Sequence, residues 1–159
     1  MKKILLILMA MFAFGLQNAS AQDGIKIVTN HPDFDIKVKR CVASGKTVII
    51  DLILNNEGTN DVTVSSVIAG NYSVAYDDEG NIYQKGNLCV KVANRNQYTA
   101  YTDEFMIPTG VPMKTSIQIN NVSPSAENIA RLSLCILCSA WGLNEHKLVK
   151  FSNIPITRK

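Results

Sequence analysis

"GKTVIIDLILNNEGTNDVTV", residues 45–64, decides the fold class. Val48, Ile50, Leu52 and Leu54 recur at every second position and make one apolar face, while Ile49 and Ile53 add apolar surface to the other. A period of two belongs to an extended strand, whose successive side chains leave on opposite faces. With apolar residues on both sides, both faces are expected to be at least partly covered, as in a central strand. "NNEGTND" then supplies residues that tolerate tight turns. The strand is expected to stop there and reverse into a return strand carrying Val62 and Val64.

The same alternation recurs outward from this stretch. Ile36 and Val38 alternate with Asp35, Lys37 and Lys39; Tyr72, Val74 and Tyr76 alternate before "DDEGN" turns the chain into Ile82 and Tyr83. Leu88, Val90 and Val92 form another face, and the Pro- and Gly-bearing "IPTGVP" (107–112) reads as a loop. Met113, Thr115, Ile117 and Ile119 alternate cleanly after it. "SPSAENIA" offers at most a short helical turn near 123–130, with Ser123 as cap and Pro124 at the first helical position. "RLSLCILCSA" and "KLVKFSNIPI" return to strand. Short strands separated by turn signals predict an all-β sandwich or barrel.

The strand–"NNEGTNDVTV"–strand unit, then "YDDEGNIY", then "IPTGVPMKTSIQI" resemble the small immunoglobulin-like domains of bacterial secreted and lipoprotein-type proteins. The resemblance covers roughly residues 34 to 156. It implies an antiparallel immunoglobulin-like β-sandwich with an accessory or interaction role, and supplies no catalytic residues. Trp141 follows the late cysteines instead of lying between two of them, so the Cys…Trp…Cys core pattern of antibody-type domains is missing.

The chain opens "MKKILLILMAMFAFGLQNASAQ": two lysines, an apolar run over Ile4–Leu16, then Ala19-Ser20-Ala21. That order predicts a secretory signal peptide over 1–21 and an exported domain over 22–159, periplasmic or extracellular. Of the chain's 16 basic residues, two lie in that segment, and none of its 13 acids does. The domain is therefore close to neutral, which argues against nucleic-acid binding, and no later segment is long and apolar enough to span a membrane.

Four cysteines follow, Cys41, Cys89, Cys135 and Cys138, the last two in Cys-x-x-Cys spacing. Along a regular strand an i, i+3 pair sits roughly 10 Å apart, beyond the reach of about 7 Å between Cα atoms that a disulfide allows. Alternation also sends Cys135 and Cys138 to opposite faces. Export permits disulfides with distant partners, but free buried thiols remain equally open and the pairing is unknown. Cys89 and Cys135 fall on the more polar faces, a hint of one cross-strand bridge. A thiol or metal protein built on the Cys135/Cys138 pair stands as a further alternative, although Cys41 and Cys89 stand alone and His31 and His146 lack partners at ligand spacing.

"YDDEGN" places Asp77, Asp78 and Glu79 side by side. Calcium loops need alternating ligands, so three adjacent acids before Gly-Asn read as a solvated hairpin turn. "NRNQYTAYTDEF" mixes Arg95, Gln97, Tyr98 and Tyr101 with further amides, a combination able to contact a protein or a sugar. None of these patterns calls for a catalytic residue, a metal or a cofactor. The reading is a non-catalytic interaction or accessory module of the cell envelope, with a protein or glycan partner. A carbohydrate-binding module that stacks sugars on Tyr98, Tyr101 or Trp141 is the alternative.

Overall fold

The computed structural model describes residues 24–66, 72–93, 95–97, 104–140 and 143–158. The expected signal peptide lies outside them. Thirteen strands run through the described residues: β1 (Lys26–Thr29), β2 (Phe34–Ser44), β3 (Thr47–Asn56), β4 (Val62–Ser66), β5 (Val74–Asp77), β6 (Ile82–Gln84), β7 (Leu88–Val92), β8 (Arg95–Gln97), β9 (Phe105–Ile107), β10 (Met113–Ile119), β11 (Asn128–Ala140), β12 (Leu143–Pro155) and β13 (Thr157–Arg158). They form two sheets. The first runs β1-β12-β11-β4-β9, with β5 and β6 beside the other half of β11; the second runs β13-β2-β3-β10-β7-β8. No α-helix occurs among the described residues, and none of their helical turns could cross a membrane.

β3 is central, as expected, paired with β2 on one side and β10 on the other. Val48, Ile50, Leu52 and Leu54 are buried, while Ile49 is exposed and Ile53 half-buried. These four meet Leu132, Leu134 and Ile136 of β11 and Phe151 of β12 in one continuous core between the sheets. Fully burying a side chain of this size contributes roughly 1.5–3 kcal/mol, so the facing apolar rows hold the two layers together. β2 and β3 are joined by a two-residue hairpin in which Gly45 takes φ +58°, a value a side chain resists.

The turn after β3 does not return the chain to the same sheet. β4 pairs with β11 and β9 in the first sheet, so "NNEGTND" is a crossover instead of a hairpin. Asn56 explains the difference. Its side chain is buried, donating to the carbonyls of Asn60 (2.9 Å) and Ile107 (3.1 Å) and accepting from the Gly58 amide (3.1 Å). The carboxamide thus ties the crossover to β9 of the opposite sheet. A buried amide satisfied this way costs little, whereas an unsatisfied one would be expensive. Gly58 sits where an added Cβ would come 2.8 Å from Asp33 Cγ.

β2 carries a break in its alternation that positions the surface described below. Val38 faces Leu52, yet Arg40 faces Asp51, leaving Lys39 without a register partner. This is a β-bulge: one extra residue shifts the phase of everything after it. Phe34 and Val38 lie in the core before the bulge, Cys41 and Ala43 after it. The extra residue keeps charged Lys39 and Arg40 both outside.

"SPSAENIA" makes one hydrogen-bonded turn, with the Ala126 amide donating to the Ser123 carbonyl (3.2 Å), before β11 starts at Asn128. Arg158 of β13 donates to the carbonyls of Ser123 (2.8 Å) and Ala126 (2.7 Å), pinning that turn to the end of the chain.

Candidate binding surface

The outer face of the second sheet holds a groove of about 380 Å³, lined by Lys39, Asp51, Ile53, Lys91, Lys114 and Ser116 among others. Two neighbouring rows across the strands build it. In one, Arg40 of β2, Asp51 of β3, Ser116 of β10 and Lys91 of β7 stand in register. In the next, Lys114 of β10 lies opposite Ile53 of β3. Residues two apart on a strand share a face, so the alternation that buries Thr115, Ile117 and Val92 turns Lys114, Ser116 and Lys91 outward. Lys39, Lys91 and Lys114 are all exposed.

The charges on this face do not cancel. Arg40 Nε forms an ion pair with Asp51 Oδ2, and Lys37 Nζ lies 2.8 Å from Asp35 Oδ2. Once these pairs are formed, Lys39, Lys91 and Lys114 are left without an acidic partner among the described residues. Exposed pairs of this kind contribute little to stability, since water and salt screen them. Their effect here is to occupy the carboxylates and leave a cationic groove over an Ile53 and Ser116 floor. The sequence hides this feature, because the three lysines come from three separate strands and never form a run. The one available signal is the phase slip from Ile36 and Val38 to Cys41 and Ala43, which marks the bulge.

Of the residues singled out for recognition, Arg95 and Gln97 fall in β8, whose backbone pairs with β7; Asn96 stands opposite Lys91. The segment therefore starts at the border of the groove. The side chains of Arg95 and Gln97, and Tyr98, Tyr101 and Trp141 entirely, lie outside the described residues.

All four cysteines are buried, and none is joined in a disulfide. Cys41 and Cys138 belong to the core between the sheets, whereas Cys135 packs with Leu137 and Leu148 on the outer side of the first sheet. The opposite-face expectation for Cys135 and Cys138 is met. The expected cross-strand bridge is not formed: Cys89 is on β7 and Cys135 on β11, strands of different sheets. Burial pushes the Cys41 thiol up to about 12, only partly offset by Arg158, and that of Cys138 up to about 11. Burial also raises Cys135. A thiolate is the reactive and metal-binding form, so these sites disfavour it. Cys135 Sγ does lie 3.5 Å from His146 Nδ1, whose ring meets Tyr72 edge-on at 5.1 Å. With its thiol held protonated, Cys135 accepts or donates a weak hydrogen bond there and is not an activated nucleophile.

The acids of "YDDEGN" are turn anchors. Asp77 is buried and accepts from the Glu79 and Asn81 amides (3.1 and 2.8 Å), Asn81 Nδ2 (2.9 Å) and the Tyr83 hydroxyl (2.7 Å). Burial alone would raise its carboxyl, but the bonds from Asn81, Tyr83 and Glu79 outweigh burial and hold it below the usual value. Asp78 accepts from the Glu127 amide (3.2 Å). The hairpin is thereby fastened to the start of β11.

No family model matches the sequence, and no curated protein does. Among solved structures, a family 123 glycoside hydrolase from Clostridium perfringens, studied for glycolipid glycan hydrolysis, is similar over 84% of this chain at 10% identity and a TM-score of 0.39. The chain spans 27% of that protein's length. Likeness at this level carries no argument about activity.

Proposed function

We propose that the chain is an exported, non-catalytic interaction module of the cell envelope, with an immunoglobulin-like β-sandwich as a rigid support. Two largely antiparallel sheets packed around one core, with only the short β13 parallel to its neighbour β2 among the described strands and with β3 crossing to β4 in the opposite sheet, support the immunoglobulin-like reading. The observation that carries the functional reading is the groove. Lys39, Lys91 and Lys114 surround a shallow floor held by the paired strands β2, β3, β10 and β7. A flat, preformed and charged surface of this kind binds without rearrangement, since the sheet fixes the backbone beneath it. The N-terminal signal pattern supports export.

Co-sedimentation of the processed protein with native envelope fragments tests both parts. Wild type is expected to start at Gln22 in the exported fraction and to pellet with the fragments. A Lys39→Gln/Lys91→Gln/Lys114→Gln variant is expected to stay in the supernatant. An unprocessed cytoplasmic chain, or equal pelleting of both proteins, would overturn the reading.

A further inference from the structure

We infer that the groove on the second sheet binds an acidic polysaccharide, a sugar chain with repeated carboxylate or sulfate groups. The inference rests on the proposed reading of the chain as a recognition module and names its ligand class. Lys39 and Lys91 sit on β2 and β7, separated by β3 and β10. Three inter-strand steps place their backbones about 14 Å apart, with Lys114 on the intervening β10. Three cations anchored across that span suit a ligand that carries several anions along its length.

The floor favours a sugar over the other polyanions. Ile53 presents a small apolar surface suited to the C–H face of a pyranose ring, and Ser116 beside it offers a hydroxyl donor and acceptor. A nucleic-acid strand, with one charge on every phosphate, calls for a strongly basic partner, and this domain is close to neutral. Protein partners are typically anchored in well-packed, desolvated pockets, whereas this groove is shallow, and Arg40 beside it is already taken by Asp51. Lysine suits the ligand, because its ammonium is a mobile point charge that tolerates anions at varied positions. Asp51 is the single acid in the lining and is neutralised by its pair.

Calorimetric titration of the full processed protein tests the inference, using polygalacturonate, chondroitin sulfate, neutral dextran and phosphatidylglycerol vesicles as probes. Wild type is expected to bind one or both acidic polysaccharides and not dextran, with affinity falling as salt rises. The Lys39→Gln/Lys91→Gln/Lys114→Gln variant is expected to bind roughly 100-fold more weakly, at about fivefold for each of the three lysines facing an anionic surface. A Lys26→Gln/Lys150→Gln variant removes exposed charge from the first sheet and is expected to bind as wild type does. Unchanged thermal midpoints confirm that all the variants fold. The inference is overturned by equal binding to dextran, by binding to vesicles without binding to the acidic polysaccharides, by equal loss in both variants, or by no binding at all. If envelope fragments still retain wild type and not the triple variant, the interaction-module reading survives and only the ligand class falls.

Discussion

Arg40 and Asp51 stand opposite each other on β2 and β3, one position past the bulge at Lys39, and their side chains form an ion pair across the ladder. The pair shows how local strand chemistry shapes the surface. A bulge inserts Lys39, re-aims Arg40 at the one acid of the groove, and leaves the lysines to dominate.

Releasing Arg40 should therefore strengthen anion binding. Asp51→Asn removes the carboxylate and frees a guanidinium, so affinity for an acidic polysaccharide is expected to rise several-fold at low salt. Stability should change by no more than about 1 kcal/mol, because the pair is exposed. Calorimetry and denaturant unfolding read the two effects, and weaker binding would count against the charge account.

Thr115 is a buried liability of the same strand. Its side chain faces the core with Leu52 and Val92 beside it, next to a small apolar cavity of about 20 Å³, and its hydroxyl has no hydrogen-bond partner among the described residues. Thr115→Val keeps the shape and removes the unsatisfied group, so it is expected to stabilise the fold by about 1 kcal/mol. Thr115→Ser keeps the hydroxyl and should not. A destabilised valine variant in urea unfolding would show that the hydroxyl is satisfied.

The Asp77 anchor predicts an acid-sensitive hairpin. Its folded-state pKa lies below the ordinary 3.8, so the unfolded chain takes up the proton first as pH falls. The stability it supplies is complete above about pH 3.8 and is lost as pH drops through the lower folded value. Asp77→Asn should flatten the unfolding midpoint in that window and cost about 1.5–3 kcal/mol at neutral pH, as expected for bonds to a charged group. A midpoint that keeps its full acid dependence in the variant would contradict the assignment.

The cysteines give a direct chemical readout. With thiols at about 12 for Cys41 and about 11 for Cys138, and Cys135 also raised, alkylation of the native protein at pH 8 is expected to be slow at all three. Unfolding in denaturant without reductant should expose four alkylatable thiols, counted by mass. Fewer than four would reveal a disulfide.

Much of the fold can be read directly from alternation. Val48 to Leu54 and Met113 to Ile119 are strands because their apolar residues recur at period two, and both lie where that pattern puts them. The turn at "YDDEGN" was equally legible, since Gly80 takes φ +86° between β5 and β6. What alternation cannot convey is which sheet a strand joins. The destination of β4 depends on the buried Asn56 carboxamide reaching Ile107, 51 positions away. The groove was hidden for a related reason. Near-neutral composition averages over the surface, whereas register gathers Lys39, Lys91 and Lys114 on one face and pairs off the nearby acids. The contact between Cys135 and His146 likewise follows from β11–β12 register, which sets His146 opposite Leu137, two residues along from Cys135.

Recognition on the outer face of the second sheet would leave its mark at particular backbone amides. Backbone amide shifts of isotopically labelled protein, followed during titration with chondroitin sulfate and polygalacturonate, test it most directly. The perturbed amides are expected to cluster at Lys39–Arg40, Ile53, Lys91 and Lys114–Ser116, with those of β12 unmoved. Perturbations confined to β11 and β12, or absent at saturating polysaccharide, would contradict it.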